Sequence, residues 1–371
     1  MAMLQTEYTA YDLTDENIRL CGNKINNGEI VVFPTETVYG IGASCMNEKA
    51  IKQIYEIKKR PSNNPLIMHI LNIKGAKLYM DLNSSEEELV TRLTDKFWPG
   101  PFTILVKKSH YVPDIVSSGT EWVSLRSPSN TIARKLLEYS MVPIVAPSAN
   151  MSGKITSTYK DHIVKYFKNS NINLLLDNEP TSLGVESTIV KVENDTVSIV
   201  RPGIITKEDI ICCLATSSSD ICINANVIQC EVSEQAEHPG SNISHYAPSK
   251  KTLMFNFIDS NFAEEANVDE SITASLSKSI DYYLTKCACI DFNAKNFHCR
   301  DKFGAYVDLS KDGNILEALF NLYNVLHQLE DAPIENILIF DYWSNKDGLY
   351  NTMFDRVIRS SNGKQIMIPV S

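Results

Sequence analysis

The chain has 371 residues, is 43% apolar and 22% charged, and carries a formal net charge of −10. That is a globular composition, long enough for about two domains. It argues against an extended nucleic-acid footprint, which needs a basic face, but leaves room for a small basic pocket that holds a phosphorylated ligand. No run approaches 18 apolar residues and no basic-then-apolar leader is visible, so a soluble protein of a reducing, cytoplasmic compartment with no membrane partner is expected. The nine cysteines suggest no disulfide framework. Cys287-x-Cys289 with His298-Cys299 matches no usual zinc spacing, so buried reduced thiols are the expectation.

In chain order, residues 1–13 read as a mobile lead-in. Thr14 is an N-cap with Asp15 and Glu16 in the first turn of a helix that reaches Asn26. The stretch Val31 to Ile70 organises the rest of the chain, as strand, polar turn, helix, basic turn and strand. Ile30-Val31-Val32-Phe33 ends at Pro34, and Thr35-Glu36-Thr37-Val38-Tyr39-Gly40 comes next. Asn47 or Glu48 opens a helix in which Ile51, Ile54, Tyr55 and Lys58 share one face. Lys58 therefore lies on the apolar stripe rather than the solvated side. Pro61 ends the helix and catches Arg60 in its terminus. Pro65 to Ile70 is a second apolar run, carrying His69.

Ser84 or Ser85 caps an acidic helix to Phe97, and Phe102–Val106 and Trp122–Arg126 are strands. A helix spans Thr131 to Tyr139. Pro143–Ala146 is a buried strand that ends in the dense turn Ser148-Ala149-Asn150-Met151-Ser152-Gly153. A helix at Tyr159–Phe167, a strand at Leu174–Asp177, a hairpin of Glu186–Val192 with Val197–Arg201, and a helix at Lys207–Leu214 complete the unit. Residues 216–250 read as a linker by composition. Beyond them strands at Leu253–Ile258, Cys287–Phe292, Ile337–Phe340 and Gln365–Pro369 alternate with helices near Phe262–Leu284, Ile315–Leu329 and Leu349–Arg359, which implies a mainly parallel sheet.

The polar clusters share a position: Thr35–Thr37, His69, Arg126, Ser148–Asn150 and Arg201 each come directly after a buried strand. In open α/β sheets ligands bind beyond the strand ends. An inventory of lysine, arginines, hydroxyls and an amide suits an anionic, phosphorylated ligand with a small polar one. Each group also has a plain reading. Lys58 to Arg60 could complement a helix dipole, His69 could be structural, Ser148–Asn150 could be a capping turn, and Arg126 and Arg201 could be surface charges. Glu36 and Glu186 could be metal carboxylates or turn residues. No Walker-type loop, dinucleotide glycine fingerprint or nucleophile elbow is present.

The motifs carry a resemblance. Pro34-Thr35-Glu36-Thr37-Val38-Tyr39-Gly40-Ile41-Gly42 resembles the opening signature of YrdC-like domains. Lys58-Lys59-Arg60-Pro61, Pro65-Leu66-Ile67-Met68-His69, Trp98-Pro99-Gly100-Pro101-Phe102-Thr103, Leu125-Arg126-Ser127-Pro128, Ser148-Ala149-Asn150, Glu186-Ser187-Thr188 and Arg201-Pro202-Gly203 occur in that family's order. His238-Pro239-Gly240 and His245-Tyr246-Ala247-Pro248 resemble the linker of its long, two-domain form, the threonylcarbamoyl-AMP synthases. Trp122 departs from the family's small hydroxylated residue, and Ser241-Asn242-Ile243-Ser244 departs from its basic or aromatic linker.

The resemblance implies an open, twisted mixed sheet with a concave active-site cleft over 1–215, a linker or lid over 216–250, and a smaller Rossmann-like α/β domain over 251–371. It implies condensation of L-threonine, bicarbonate and ATP, with Mg²⁺ accompanying the nucleotide. The products would be diphosphate and an adenylate passed to a tRNA threonylcarbamoyl transferase complex. Lys58 and Arg60 would be catalytic; Thr37, His69, Arg126, Ser148 and Ser187 would hold threonine. Arg60, Asn64, Asn150, Thr158, Arg201 and Tyr246 would hold ATP, with Tyr246 folding back as a lid. No protein metal site and no stable nucleic-acid binding are implied. The competing readings are a YrdC-like RNA-binding module without synthase activity and a carbamoyl-adenylate step in metallocentre maturation.

Overall fold

A computed structural model describes residues 8–215, 226–229, 246–259, 280–344 and 347–370. The chain divides into two compact units, Met1–Ser152 with Thr156–Asn242, and Gly153–Ile155 with Ile243–Ser371.

The first unit contains strands β1 (Tyr8–Tyr11), β2 (Val31–Phe33), β3 (Gly40–Ser44), β4 (Ile67–His69), β5 (Phe102–Lys107), β6 (Trp122–Arg126), β7 (Ile144–Val145), β8 (Ile172–Leu175), β9 (Thr188–Glu193), β10 (Thr196–Arg201) and β11 (Asn226–Gln229). They form one mixed sheet in the order β1-β8-β2-β3-β7-β4-β6-β5-β9-β10-β11. At the β2 end both faces are covered, so the strand reads as an unbroken apolar run. Val31 and Phe33 pack with Ile18, Cys21 and Ile25 of the helix Asp15–Asn26 and with Leu136 of the helix Thr131–Ser140. Ile30 and Val32 pack with Ile54 of the helix Glu48–Lys58 and with Ile163 and Phe167 of the helix Lys160–Phe167.

Across β4, β6, β5 and β9 the two faces differ. Met68, Leu125, Ile104, Val106 and Val190 point into the main core against Leu89, Val90 and Leu93 of the helix Ser84–Phe97. The alternate residues face the other way. Register aligns His69 with Arg126, Arg126 with Thr103, and Thr103 with Ile189 in one row across the sheet. Polar groups thus stand on the face opposite the core.

Several expectations change. Residues 8–11 of the expected lead-in form β1, which pairs in parallel with β8. The stretch Gly40-Ile41-Gly42-Ala43-Ser44, read as part of a turn, forms β3 antiparallel to β2. Two glycines hide this strand in the sequence, yet they are what the site demands: a Cβ on Gly42 would lie 2.6 Å from Ile144 Cγ2 and 2.8 Å from Phe33 Cε1. The cap of the Ser84–Phe97 helix is Asn83, which makes a reciprocal capping box with Glu86. Within the stretch read as linker, β11 pairs in parallel with β10. The motif 238–245 lies outside the described residues, as does most of the helix expected at 262–284, of which Ile280–Leu284 is described.

The second unit holds β12 (Lys251–Asp259), β13 (Cys287–Asp291), β14 (Ala305–Asp308), β15 (Asn336–Phe340) and β16 (Gln365–Val370) in the order β14-β13-β15-β12-β16. Every pairing is parallel. Strand β14 is an addition to the expected set, because Ala305-Tyr306-Val307-Asp308 is only half-buried and lacks an apolar run. Cys287, Cys289 and Cys299 are free and buried. Burial pushes the Cys287 thiol up to about 11 and Cys289 well above its usual range, as inert core thiols require.

Gly42→Ala should destabilise the protein by about 1–3 kcal/mol, because both neighbours that a methyl would meet are core side chains. Gly75→Ala, where the added carbon meets only Asn72 Oδ1 at 3.8 Å, should stay within about 0.5 kcal/mol. Denaturant unfolding of the two variants checks the contrast.

Candidate active site

The turn after β2 is built by one hydroxyl. Thr35 Oγ1 donates to the Val38 carbonyl at 2.6 Å and accepts from the Thr37 and Val38 N–H groups at 3.2 Å. The fold in the backbone directs Glu36 inward, where it is 6% exposed. Its Oε1 lies 2.8 Å from Arg126 Nη2, and its Oε2 accepts from Asn130 N–H at 3.4 Å. The pair is close but not aligned as a hydrogen bond. Glu36 Oε1 and the Nε and Nη2 of Arg126 have no hydrogen-bond partner among the described residues. Arg126 is 4% exposed, so a buried guanidinium keeps donors to spare. Burial alone would raise the Glu36 carboxyl; the Arg126 charge and backbone N–H groups outweigh it and hold the group below its ordinary value.

His69 stands beside Arg126 in the row, edge-on to Phe33 with ring centroids 6.2 Å apart. Its Nδ1 is buried without a partner among the described residues. Burial, with the nearby Arg126 charge, pushes the imidazole down to about 3, so it is neutral at pH 7. At the far end of the row Thr103 Oγ1 lies 2.7 Å from Ser187 Oγ. Arg201 wraps Ser187, donating from Nε at 3.1 Å and Nη2 at 2.9 Å to its carbonyl and from Nη2 at 3.0 Å to its hydroxyl.

A second cluster forms at the end of the helix Glu48–Lys58. Asn47 caps its start, and Lys59, at φ 52°, turns the chain out of it. Lys58 is 1% exposed, and its Nζ donates to the carbonyls of Ser148, at 2.7 Å, and Asn150. In return Ser152 N–H donates to the Lys58 carbonyl at 2.9 Å, and Ser148 Oγ donates to Asn150 Oδ1 at 2.6 Å. Ala149 N–H donates to the Tyr39 carbonyl at 2.7 Å, tying this turn to the Thr35 turn. Arg60 donates to the Asn64 carbonyl at 3.0 Å, to Asn64 Oδ1, and to the Pro65 carbonyl at 2.8 Å.

The structure thus brings Thr37, His69, Arg126 and Ser187 to one sheet face and its bordering turn, and Lys58, Ser148 and Asn150 to a linked one. Arg60 and Asn64 form a local pair. Thr158 is buried, its hydroxyl without a partner among the described residues, and its carbonyl accepts from Thr181 N–H at 3.0 Å. Tyr246 belongs to the second unit, its ring 5.5 Å from that of Tyr323 with the Arg356 guanidinium 5.1 Å above it. Trp122 is held under Lys191 Nζ at 3.9 Å. Glu186 accepts from Thr156 Oγ1 at 2.7 Å. Sequence reasoning missed Thr103 and the pairing of Glu36. The signal for Thr103 was strand alternation, which puts it on the same face as Leu105 and opposite Ile104.

Known proteins bear on this geometry. A sequence profile described as "Telomere recombination" matches residues 23–203, and one described as "Threonylcarbamoyl-AMP synthase, C-terminal domain" matches 205–362. The threonylcarbamoyl-AMP synthase of Pyrococcus abyssi is 38% identical over 237 residues, 64% of this chain and 67% of that one. That of Schizosaccharomyces pombe is 30% identical over 348 residues, 86% of this chain and 82% of that one. The chain belongs to the threonylcarbamoyl-AMP synthase family. The crystal structure of P. abyssi Sua5 complexed with L-threonine matches with a TM-score of 0.78 at 28% identity, over 97% of this chain and 98% of that one. Membership in the synthase family carries the two-domain form and favours the enzyme over the RNA-binding module. Among the described residues no helix is long and apolar enough to cross a membrane.

The buried imidazole sets a pH dependence. The unfolded chain binds a proton at His69 below about pH 6.5, while the folded one does so only near 3, so stability falls as pH falls through that window. Between pH 7 and pH 5 this group should cost about 2 kcal/mol. Glu36, whose value is lowered on folding, adds a further loss in more acid solution. Chemical denaturation at pH 5 and 7 should show the first loss in the native chain and not in His69→Gln; equal losses would show that His69 does not carry it.

Proposed function

We propose that this chain condenses L-threonine, bicarbonate and ATP to threonylcarbamoyl-AMP and diphosphate, and that the row His69–Arg126–Thr103–Ser187 is where the amino acid lies. The observation that carries the reading is Arg126, a buried guanidinium whose free donors an incoming carboxylate would fill. Thr37 and the neutral His69 supply hydrogen bonds without adding charge, and Ser148 and Ser187 line the approach. The L-threonine bound in the Sua5 crystal structure supports the substrate.

The reaction joins two anions, a carbamate and a triphosphate, so the site must neutralise charge and align the carbamate oxygen with the α-phosphorus. Lys58, Arg60 and Arg201 serve that need, with Asn64, Asn150 and Thr158 as neutral contacts to the nucleotide. Mg²⁺ arrives with ATP as part of the substrate. The described residues offer no group of three or more His, Cys, Asp or Glu for an ion, so phosphate oxygens and water would supply most of its ligands. The product then passes to an enzyme complex that transfers threonylcarbamoyl to tRNA, and the protein itself works in the cytoplasm without holding nucleic acid stably.

Mixing the protein with ATP, bicarbonate and L-threonine should release diphosphate only when threonine is present. Lys58→Ala should lower that rate by about 100-fold or more, the scale of removing one preorganised charge-stabilising group. Release that is indifferent to threonine, or none, would overturn the reading.

A further inference from the structure

Lys58 is the anomaly of the site. It is 1% exposed, yet among the described residues no carboxylate lies within ion-pair distance of it. Its Nζ donates to two backbone carbonyls, of Ser148 and Asn150, and has no third acceptor among the described residues. Two N–H groups are all that a neutral amine has to donate, and its remaining valence is a lone pair. An ammonium would bury a third N–H with nothing to receive it, together with an uncompensated charge.

The surroundings favour the neutral form. Arg60, two residues on, adds a like charge. The turn 148–152 brings no titratable side chain. Strand β3, packed beside the helix, has no titratable side chain, and Asp114 of the helix Asp114–Ser117, which also packs there, is exposed and paired with Lys108 at 2.5 Å. Burial, with Arg60 second, holds the Lys58 amine well below its ordinary value.

The reaction needs such a group. Threonine ammonium and bicarbonate give a carbamate, one water and one proton: the N–C bond forms, a C–O bond of bicarbonate breaks, and its oxygen leaves as water. The carbamate oxygen then attacks the α-phosphorus as the bond to the β-phosphate breaks and diphosphate leaves. The released proton must go somewhere. His69, pushed down to about 3, does not hold it at neutral pH, and Glu36 is committed to Arg126.

We propose that Lys58 enters the reaction as a neutral amine, takes the proton shed by threonine's ammonium as the carbamate forms, and then, as an ammonium, stabilises the charge that builds up at the α-phosphate. The role rests on the synthase reading. One residue would act first as a base and then as the cation that the next step requires.

The test uses the full chain labelled with ¹⁵N-lysine, the Lys58 Nζ resonance being identified by its absence in Lys58→Met. At pH 7 without substrates the resonance should be that of a neutral amine; an ammonium there overturns the proposal. Kinetics give a second reading. Threonine-dependent diphosphate release by the native chain should be nearly flat between pH 7 and 9. In Lys58→Arg, which keeps the charge but cannot accept a proton, the rate should be low at pH 7 and rise about tenfold per pH unit until threonine's amine is free. Equal pH slopes in the two proteins overturn the base role and leave the synthase reading standing. A native chain that releases no diphosphate overturns both.

Discussion

A charge buried without its full complement of partners is the constraint on which the rest of this structure depends. Burying an ion is costly unless geometry satisfies it, so a fold that buries Arg60, Arg126 and Arg201, and the amine of Lys58, must devote its local architecture to holding them. It does so with backbone. The carbonyls of Ser148 and Asn150 receive Lys58, those of Asn64 and Pro65 receive Arg60, and that of Ser187 receives Arg201. Carbonyls cannot rotate away as side chains do, which fixes these nitrogen groups before any ligand arrives. Arg126 is the exception: it has a carboxylate, Glu36, and still has donors left over.

The sheet makes that arrangement possible. Around β2 both faces are covered by helices and only apolar side chains are tolerated. From β4 to β9 the core occupies one face, and the strand period of two delivers His69, Arg126 and Thr103 to the other. The Thr35 turn and the Ser148 turn close over this region and are joined through Tyr39, which accepts from Ala149 N–H and donates to the Ser157 carbonyl at 3.0 Å. Ile41 N–H, which donates to the Pro147 carbonyl at 3.0 Å, and the pairing of Gly40 with Ser148 reinforce the link.

Much of this was legible in the sequence. Helical spacing alone put Lys58 on the buried stripe, and the strand-end positions of His69, Arg126, Ser148, Asn150 and Arg201 foretold a polar rim. What escaped has physical reasons. Strand β3 has only Ile41 among glycines, alanine and serine, because Phe33 and Ile144 crowd Gly42, and small residues carry no strand signal. Strand β1 is four half-polar residues at the sheet edge, where burial imposes no pattern. The Glu36–Arg126 pair joins residues ninety positions apart, and only the register of β4 with β6 and the fold of the Thr35 turn bring them together. Glu36 looked like a turn residue; it is also the counter-ion of Arg126.

The central claim is that Arg126, held by Glu36 in a row with His69, receives the amino acid's carboxylate. Calorimetric titration of L-threonine into the full chain, alone and with a non-hydrolysable ATP analogue, tests it directly. Replacing Arg126 by Met should weaken threonine about 10–100-fold, the scale of one lost charge-assisted contact, and leave the analogue's affinity unchanged. Undiminished threonine binding by a folded Arg126→Met chain would contradict the account.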